Sequence, residues 1–259
     1  MLSVEGLTVC RGGRLVLDGV SFALRPGEVT AVLGLNGAGK TPLIKAVLGF
    51  IPQQGGRLTA DGQALDKLSP SARARKLAYV PQSDEGGVSY RTEDFVSMGA
   101  TASLGAFARP GREELRRAQD ILRALSCGSL IGRSMAALSG GERRMAYLAR
   151  AVMQDAAYLL LDEPAASLDF SRQHSFLGSL RDYVRRRGAG CLLSVHAPEL
   201  AYAYADRLLV LHDRRVLLDV GRDGAQFEEE LARALRTLYG PALRMEVWKG
   251  GLALGWEAP

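Results

Sequence analysis

The segment that most restricts the fold is GLNGAGKT, Gly34 to Thr41, which follows the apolar run Val29–Leu33 and leads directly into KTPLIKAVLGF. The run before it reads as a buried strand, and the residues after it repeat at helical spacing, with Gly49 as a stop. A strand that enters a helix through three glycines, Gly34, Gly37 and Gly39, turns sharply and leaves bare N–H groups on the inside of the turn. Those donors and the helix N-terminus suit a chain of phosphates. Gly34, Asn36, Gly37, Ala38, Gly39, Lys40 and Thr41 are the candidate nucleotide-binding residues. Lys40 is expected to reach the β- and γ-phosphates and Thr41 to ligate Mg²⁺. Pro42 offers no N–H to the phosphates, but the first helical turn tolerates proline because its donors lack intrahelical partners. The lost hydrogen bond, worth about 1.5–3 kcal/mol, weakens nucleotide binding without abolishing it.

A phosphate loop of this kind needs a parallel sheet around it, and the rest of the chain can supply one. Strand patterns cover Leu2–Val9 and Val16–Leu24, a short β segment lies around Arg57–Leu65, and a helix lies around Ser69–Leu77 before the strand LAYVPQ. From about Gly86 to Gln154 the pattern is helical: RTEDFVSMGA, REELRRAQDILRALS and GERRMAYLARAVM. Strand, helix and strand then return as YLLLDEP, RQHSFLGSLRDYVRRR and CLLSVH, followed by RLLVLHD, RVLLDVG, the helix FEEELARALRTLYG and a hairpin turning at Gly250 and Gly251. A helical lobe inserted into a mostly parallel sheet accounts for this order.

The strand YLLLDEP delivers Asp162 and Glu163 to its C-terminal end, where open α/β sheets bind ligands. Asp162 is suited to hold Mg²⁺ through water, and Glu163 to orient or deprotonate the water that attacks a γ-phosphate. The net charge of +5 over 259 residues is too mild to specify a partner, and the run Arg185–Arg187 suits the end of a helix. Three scattered cysteines, Cys10, Cys127 and Cys191, have no metal-ligand spacing and fit packing roles in a reducing compartment. No segment approaches the roughly 20 uninterrupted apolar residues of a membrane helix, and the N-terminus lacks a signal-peptide pattern, so any membrane role is expected to come through a partner.

LSGGE, Leu138 to Glu142, opens a helix with a hydroxyl and bare glycine N–H groups shortly before the acidic strand. At this stretch the sequence resembles the nucleotide-binding subunits of ATP-binding cassette (ABC) transporters. The likeness covers nearly the whole chain and implies an α/β fold: a P-loop NTPase (RecA-like) core with an antiparallel β subdomain and an inserted α-helical subdomain. Residues 1–259 are then one cassette, with the core in 1–85 and 155–240, the helical signature lobe in 86–154 and a C-terminal tail in 241–259.

The resemblance assigns Ser139, Gly140, Gly141 and Glu142 to the signature, Gln82 to the Q-loop as a Mg²⁺ or water contact, Ser167–Asp169 to the D-loop and His196 to the switch contact with the γ-phosphate. With Glu163, Gln82 and His196 form the implied catalytic set, and Thr41, Gln82 and Asp162 the implied metal set. ATP and Mg²⁺ are the implied cofactors. Each ATP would lie between the P-loop of one cassette and the signature of a second copy in a head-to-tail homodimer. Arg11 stands near the position where the family usually stacks an aromatic on adenine, and offers a guanidinium plane in its place. Arg144 and Met145 stand where glutamine and arginine are more usual, and Ala197 where an aspartate is common.

Tyr90–Glu114, the LDF of Leu168–Phe170 with Gln173, and the tail LRTLYGPALRMEV resemble ATPases of importers for iron chelates, haem, cobalamin and related complexes. That likeness implies two permease subunits, an extracytoplasmic substrate-binding protein and a peripheral place on the cytoplasmic face of the membrane, with no nucleic-acid partner. The segment Gln82–Met98 and the helical lobe are expected to dock the permease. An exporter ATPase or a non-transport cassette, such as an iron–sulfur assembly factor, is the alternative. The missing NKxD base-reading motif disfavours a GTPase.

Overall fold

The computed structural model describes residues 1–82, 89–104, 108–166 and 168–257. The chain opens with a hairpin of β1 (Leu2–Arg11) and β2 (Arg14–Leu24), turned at Gly12 and Gly13, both at positive φ. Leu2, Val4, Leu7 and Val9 are buried along β1, with the register shifted between Val4 and Leu7 around Gly6. β4 (Gly55–Ala60) and β5 (Gln63–Ala64) complete an antiparallel sheet of order β2-β1-β4-β5. The single β segment expected over Arg57–Leu65 is thus two strands, because Asp61 and Gly62 adopt the positive φ of a tight hairpin turn.

The central sheet has the order β10-β9-β3-β8-β7-β6: Arg215–Gly221, Arg207–His212, Val29–Leu33, Gly190–Ser194, Tyr158–Leu161 and Leu77–Val80. It is parallel from β9 to β6, with β10 antiparallel at the edge. β3, β7 and β8 are buried at every position, as expected of strands covered on both faces. Alternate residues feed two cores. Ala31, Leu33, Leu159, Leu161 and Leu193 pack on one side with the helices after β6, while Val32, Leu160 and Leu192 pack on the other with α1 (Lys40–Leu48) and the antiparallel sheet. Because neighbouring strands run parallel, β3, β6, β7 and β8 all end at one edge. The loops after them therefore converge.

In the lobe, α3 (Thr92–Ser97), α4 (Arg112–Ala124) and α5 (Gly140–Met153) pack together, with Ala118 and Leu122 buried on an otherwise polar α4. α2 (Pro70–Lys76) starts where Ser69 Oγ accepts from Ala72 N at 3.2 Å. α6 (Phe170–Arg187) buries Phe176 completely; truncating such a residue to alanine costs about 3–5 kcal/mol. α7 (Pro198–Tyr204) was not expected from the sequence: it is as short as α2 and also starts with proline, but Ala197 stands at its N-cap where α2 has the capping hydroxyl of Ser69. α8 (Phe227–Tyr239) precedes the hairpin of β11 (Leu243–Trp248) and β12 (Gly251–Trp256). This hairpin turns at Lys249 and Gly250, both at positive φ, and Gly251 is the first residue of β12. The cysteines form no disulfide, and burial pushes the Cys127 thiol up to about 11.

Candidate functional site

Glycine is required at two points of the loop between β3 and α1. A Cβ on Gly39 (φ 103°) would stand 2.7 Å from Leu17 Cδ2 and 3.0 Å from the Val16 carbonyl, and one on Gly34 (φ 155°) 2.7 Å from the Leu211 carbonyl. β2 therefore closes against the loop on one side and β9 on the other. Leu35, Asn36 and Gly37 are left exposed. Pro42 is the third residue of α1, where its missing N–H leaves no intrahelical bond unmade.

Lys40, 5% exposed, folds back over the loop and donates to the Gly34 carbonyl at 2.7 Å. Burial lowers its pKa, opposed by the nearby charges of Glu163 and Asp162. β7 carries Asp162 and Glu163 to the same place. Asp162 Oδ1 accepts from Thr41 Oγ1 at 3.0 Å and from Ser194 Oγ at 2.9 Å. Its Oδ2 is buried with no hydrogen-bond partner among the described residues.

Glu163, 7% exposed, has φ 45°, unusual for a residue with a side chain. Its N–H donates to Ser194 Oγ at 2.8 Å, which helps hold that backbone. Gln82 Nε2 donates to Glu163 Oε2 at 2.7 Å, His196 Nε2 lies 2.6 Å from Oε1, and Lys40 Nζ lies 4.0 Å from the same oxygen. The structure thus gathers Lys40, Thr41, Gln82, Asp162, Glu163 and His196 into one bonded cluster.

Ser139 to Glu142, the expected signature, form a second cluster. Ser139 caps α5: its Oγ accepts from Glu142 N at 3.3 Å, while Glu142 Oε2 accepts from Ser139 N at 2.8 Å. Glu142 is also paired with Arg133 at 2.6 Å, and these bonds, Arg133 first, hold its carboxyl at about 2. Its charge is turned back into its own chain. Ser139 and Gly140 face solvent. Gly141 is buried beneath Arg172, whose Cδ and Nη1 would each stand 3.0 Å from an added Cβ. Asp169 caps α6 by accepting from Arg172 N at 2.9 Å and pairs with Arg172 Nε at 3.2 Å.

Arg11 is exposed near the tip of the β1–β2 hairpin, the same hairpin whose Val16 and Leu17 close on Gly39. Ser167 lies outside the described residues, as do 83–88 and 105–107 of the segments tied to the permease and the importer subfamily.

Sequence reasoning missed Ser194, Arg144 and Arg172. Ser194 had a signal: a small hydroxyl residue at the end of an apolar strand, two before His196. Arg144, 4% exposed, donates to the Pro81 carbonyl at 2.6 Å and to that of Gln82. Its place in the sequence showed a departure from the usual residue but no partner.

Residues 17–166 match the family model for ABC transporters. A hemin import ATP-binding protein of Pseudomonas aeruginosa is 41% identical over 221 residues, 83% of this chain and 84% of that one. Its counterpart from Pseudomonas putida is 40% identical over 248 residues, 93% and 92% of the two chains. A solved ABC transporter of the metal-chelate type, in an inward-facing conformation, superposes with a TM-score of 0.80 at 25% identity, covering 99% of this chain and 96% of that one. Whole-chain similarity joins the phosphate loop, acidic strand and signature in one conclusion: this chain belongs to the ABC transporter family and is its ATP-binding, ATP-hydrolysing subunit.

Proposed function

We propose that this chain powers an importer of iron chelates or haem from the cytoplasmic face of the membrane, as one of two cassettes beneath two permease subunits fed by an extracytoplasmic binding protein. The observation that carries the reading is the 40% identity, over nine-tenths of both chains, to a protein named for hemin import. A relative from Helicobacter pylori named for iron chelatin transport, 31% identical over 233 residues, agrees with it. No helix among the described residues is long and apolar enough to cross a membrane, so attachment would rest on docking.

A groove of about 1370 Å³ offers a place for that docking, lined in part by Phe50, Arg73, Tyr79, Tyr147, Gln82 and Met98. It opens beside the catalytic cluster, since Thr41 and Asp162 also line it. The cassette boundaries, with core residues 1–85 and 155–240 around the lobe 86–154, belong to the same reading.

In the proposed reaction, Gly34, Asn36, Gly37, Ala38, Gly39 and Lys40 cradle the phosphates, and Arg11 lies along adenine. Glu163 is the base. Both of its oxygens are engaged, by Gln82 on one side and by His196 and Lys40 on the other. A γ-phosphate competes for Lys40 and His196, which frees Oε1 to receive a proton from water. The water oxygen bonds to the γ-phosphorus as the bond to the ADP oxygen breaks. Ser139, Gly140 and Gly141 of a second copy, with Asp169 at the interface, close the site from the other side. Glu142 orients that signature as a cap.

A Mg²⁺ ion fits the unpartnered Oδ2 of Asp162 beside Thr41. No group of three or more His, Cys, Asp or Glu side chains among the described residues is arranged to hold a metal ion by itself, so Thr41, Asp162 and Gln82 would share the ion with water and phosphate oxygens. When bound, it neutralises charge on the β- and γ-phosphates.

The test is affinity capture of the tagged chain from detergent-solubilised membranes of its host, followed by mass spectrometry. Co-purification of a multi-helix permease supports transport, and its neighbouring genes identify the cargo. Recovery of soluble assembly proteins alone overturns the importer reading.

A further inference from the structure

We infer that Arg144 is a positioning residue that makes the Gln82 segment and the signature helix move as one body. The inference rests on the ATPase reading above and concerns a residue to which that reading gives no role.

Among the described residues β6 is an edge strand, paired with β7. Its last ladder bond is from Asp162 N to the Val80 carbonyl. Beyond that point the chain leaves the sheet, and the carbonyls of Pro81 and Gln82 need donors from elsewhere. Arg144 supplies them from α5, through Nη1 to Pro81 at 2.6 Å and through Nη2 to Gln82. A guanidinium suits this task, because its planar fork holds two neighbouring acceptors at once.

Ten residues further along α5's axis, Gln154 Nε2 donates to the carbonyl of Leu77 at 2.8 Å, at the start of the same strand, and to that of Ala74 in α2 at 2.5 Å. Ten residues of helix rise about 15 Å. The four steps from Leu77 to Pro81 span about 13 Å of strand. The two lengths agree, so α5 is strapped to β6 at both ends by side chains that reach backbone.

At one end of this strap, Gln82 donates to the catalytic carboxylate of Glu163. Just beyond that same end, Ser139 stands five residues before Arg144 and caps the helix, about 7.5 Å away along its axis. A bonded route therefore runs from Glu163 through Gln82, Arg144 and α5 to Ser139. A nucleotide that pulls Gln82 away from Glu163 displaces the carbonyls Arg144 holds, and α5 carries the shift to the signature offered to a second copy.

A double-mutant cycle on the purified full-length chain tests this, because groups that act in one chain of contacts give non-additive losses. ATP turnover and the affinity for a fluorescent ATP analogue are measured for wild type, Arg144→Met, Gln82→Ala and the double variant. Arg144→Met is expected to lower kcat about tenfold while leaving analogue affinity within about twofold, and to add less than about twofold to the loss already caused by Gln82→Ala. Losses that multiply in the double variant, or an affinity that falls as far as kcat, overturn the proposal.

Should Arg144→Met fail to fold, the same cycle runs with Arg144→Lys, which keeps the charge and stem but replaces the fork with one ammonium. A partial kcat loss that disappears in the Gln82→Ala background supports the coupling; a full, multiplying loss refutes it. Failure of the ATPase reading is recognised separately, by wild-type turnover no higher than that of Glu163→Gln.

Discussion

The edge of the central sheet proposed to bind phosphate and the proposed signature face of the helical lobe stand in opposite conditions. At the sheet edge, Lys40, Asp162 and Glu163 are 5%, 0% and 7% exposed; Lys40 pairs with Glu163, and Asp162 accepts from Thr41. On the lobe side, Ser139, Gly140 and Asp169 face solvent, and Phe170 is 77% exposed at the start of α6. One region is complete within a single chain. The other presents capped helix ends and an apolar side chain to water. In the proposed reading a single cassette holds nucleotide, and turnover awaits a second.

Glu163→Gln breaks the first region and should have the largest effect. Removing a positioned base while keeping its shape is expected to lower kcat by about 10³-fold and to leave ATP affinity within about twofold. Near-normal hydrolysis would remove Glu163 from the base role.

The sharpest test of the division pairs two inactive chains, Lys40→Ala and Ser139→Arg. Each alone should lose about 100-fold in turnover. When mixed, the mutant regions meet in one composite site and the intact regions in the other, so activity should recover toward about a quarter of wild type. No recovery would mean that the two regions do not meet across a dimer.

Phe170→Ser touches only the exposed side. Surface changes of this kind leave stability within about 0.5 kcal/mol, whereas loss of an interface aromatic should weaken association of the ATP-bound cassettes about tenfold. Sedimentation of the Glu163→Gln background with ATP reads that association, and an unchanged dimer constant would place Phe170 outside the interface.

The smallest effect belongs to Glu142. Its folded-state carboxyl titrates near 2, below the ordinary value of 4.5, because Arg133 and the Ser139 N–H hold the charged form. The stabilisation is therefore present above about 4.5 and lost as pH falls toward 2. Relative to Glu142→Gln, the wild-type melting temperature should be higher by about 1–2 °C at neutral pH, the range for one partly exposed ion pair. That gap should close between pH 4.5 and 2, and a gap that persists at pH 2 would show that the carboxylate charge contributes nothing.

The clarity of each element in the sequence followed from how local its cause is. β3, the glycine turn and α1 are contiguous, and glycine spacing, apolar run and helical period all appear within twenty residues. The strand ending in Asp162 and Glu163 was equally plain, because a strand buried on both faces has nothing but apolar residues to display. α7 was not legible, being short and without the capping side chain that marks α2. The bonds of Ser194 with Asp162 and Glu163 were not legible either, since they cross from β8 to β7 over some thirty positions of chain. Arg144 was visible as an oddity, and only its position against the end of β6 explains it.

By itself, the sequence determined that a phosphate loop joins a buried strand to a helix, that two carboxylates end another strand and that a capped glycine pair opens a helix. Each depends on backbone freedom and side-chain period over a few neighbouring residues. Tertiary structure alone decided that four parallel strands end at one edge, so that Gln82, Ser194 and His196 close around Asp162 and Glu163 while Arg144 ties the signature helix to them. Strand order sets those meetings, and strand order is chosen by burial summed over the whole sheet, which no short stretch of sequence records.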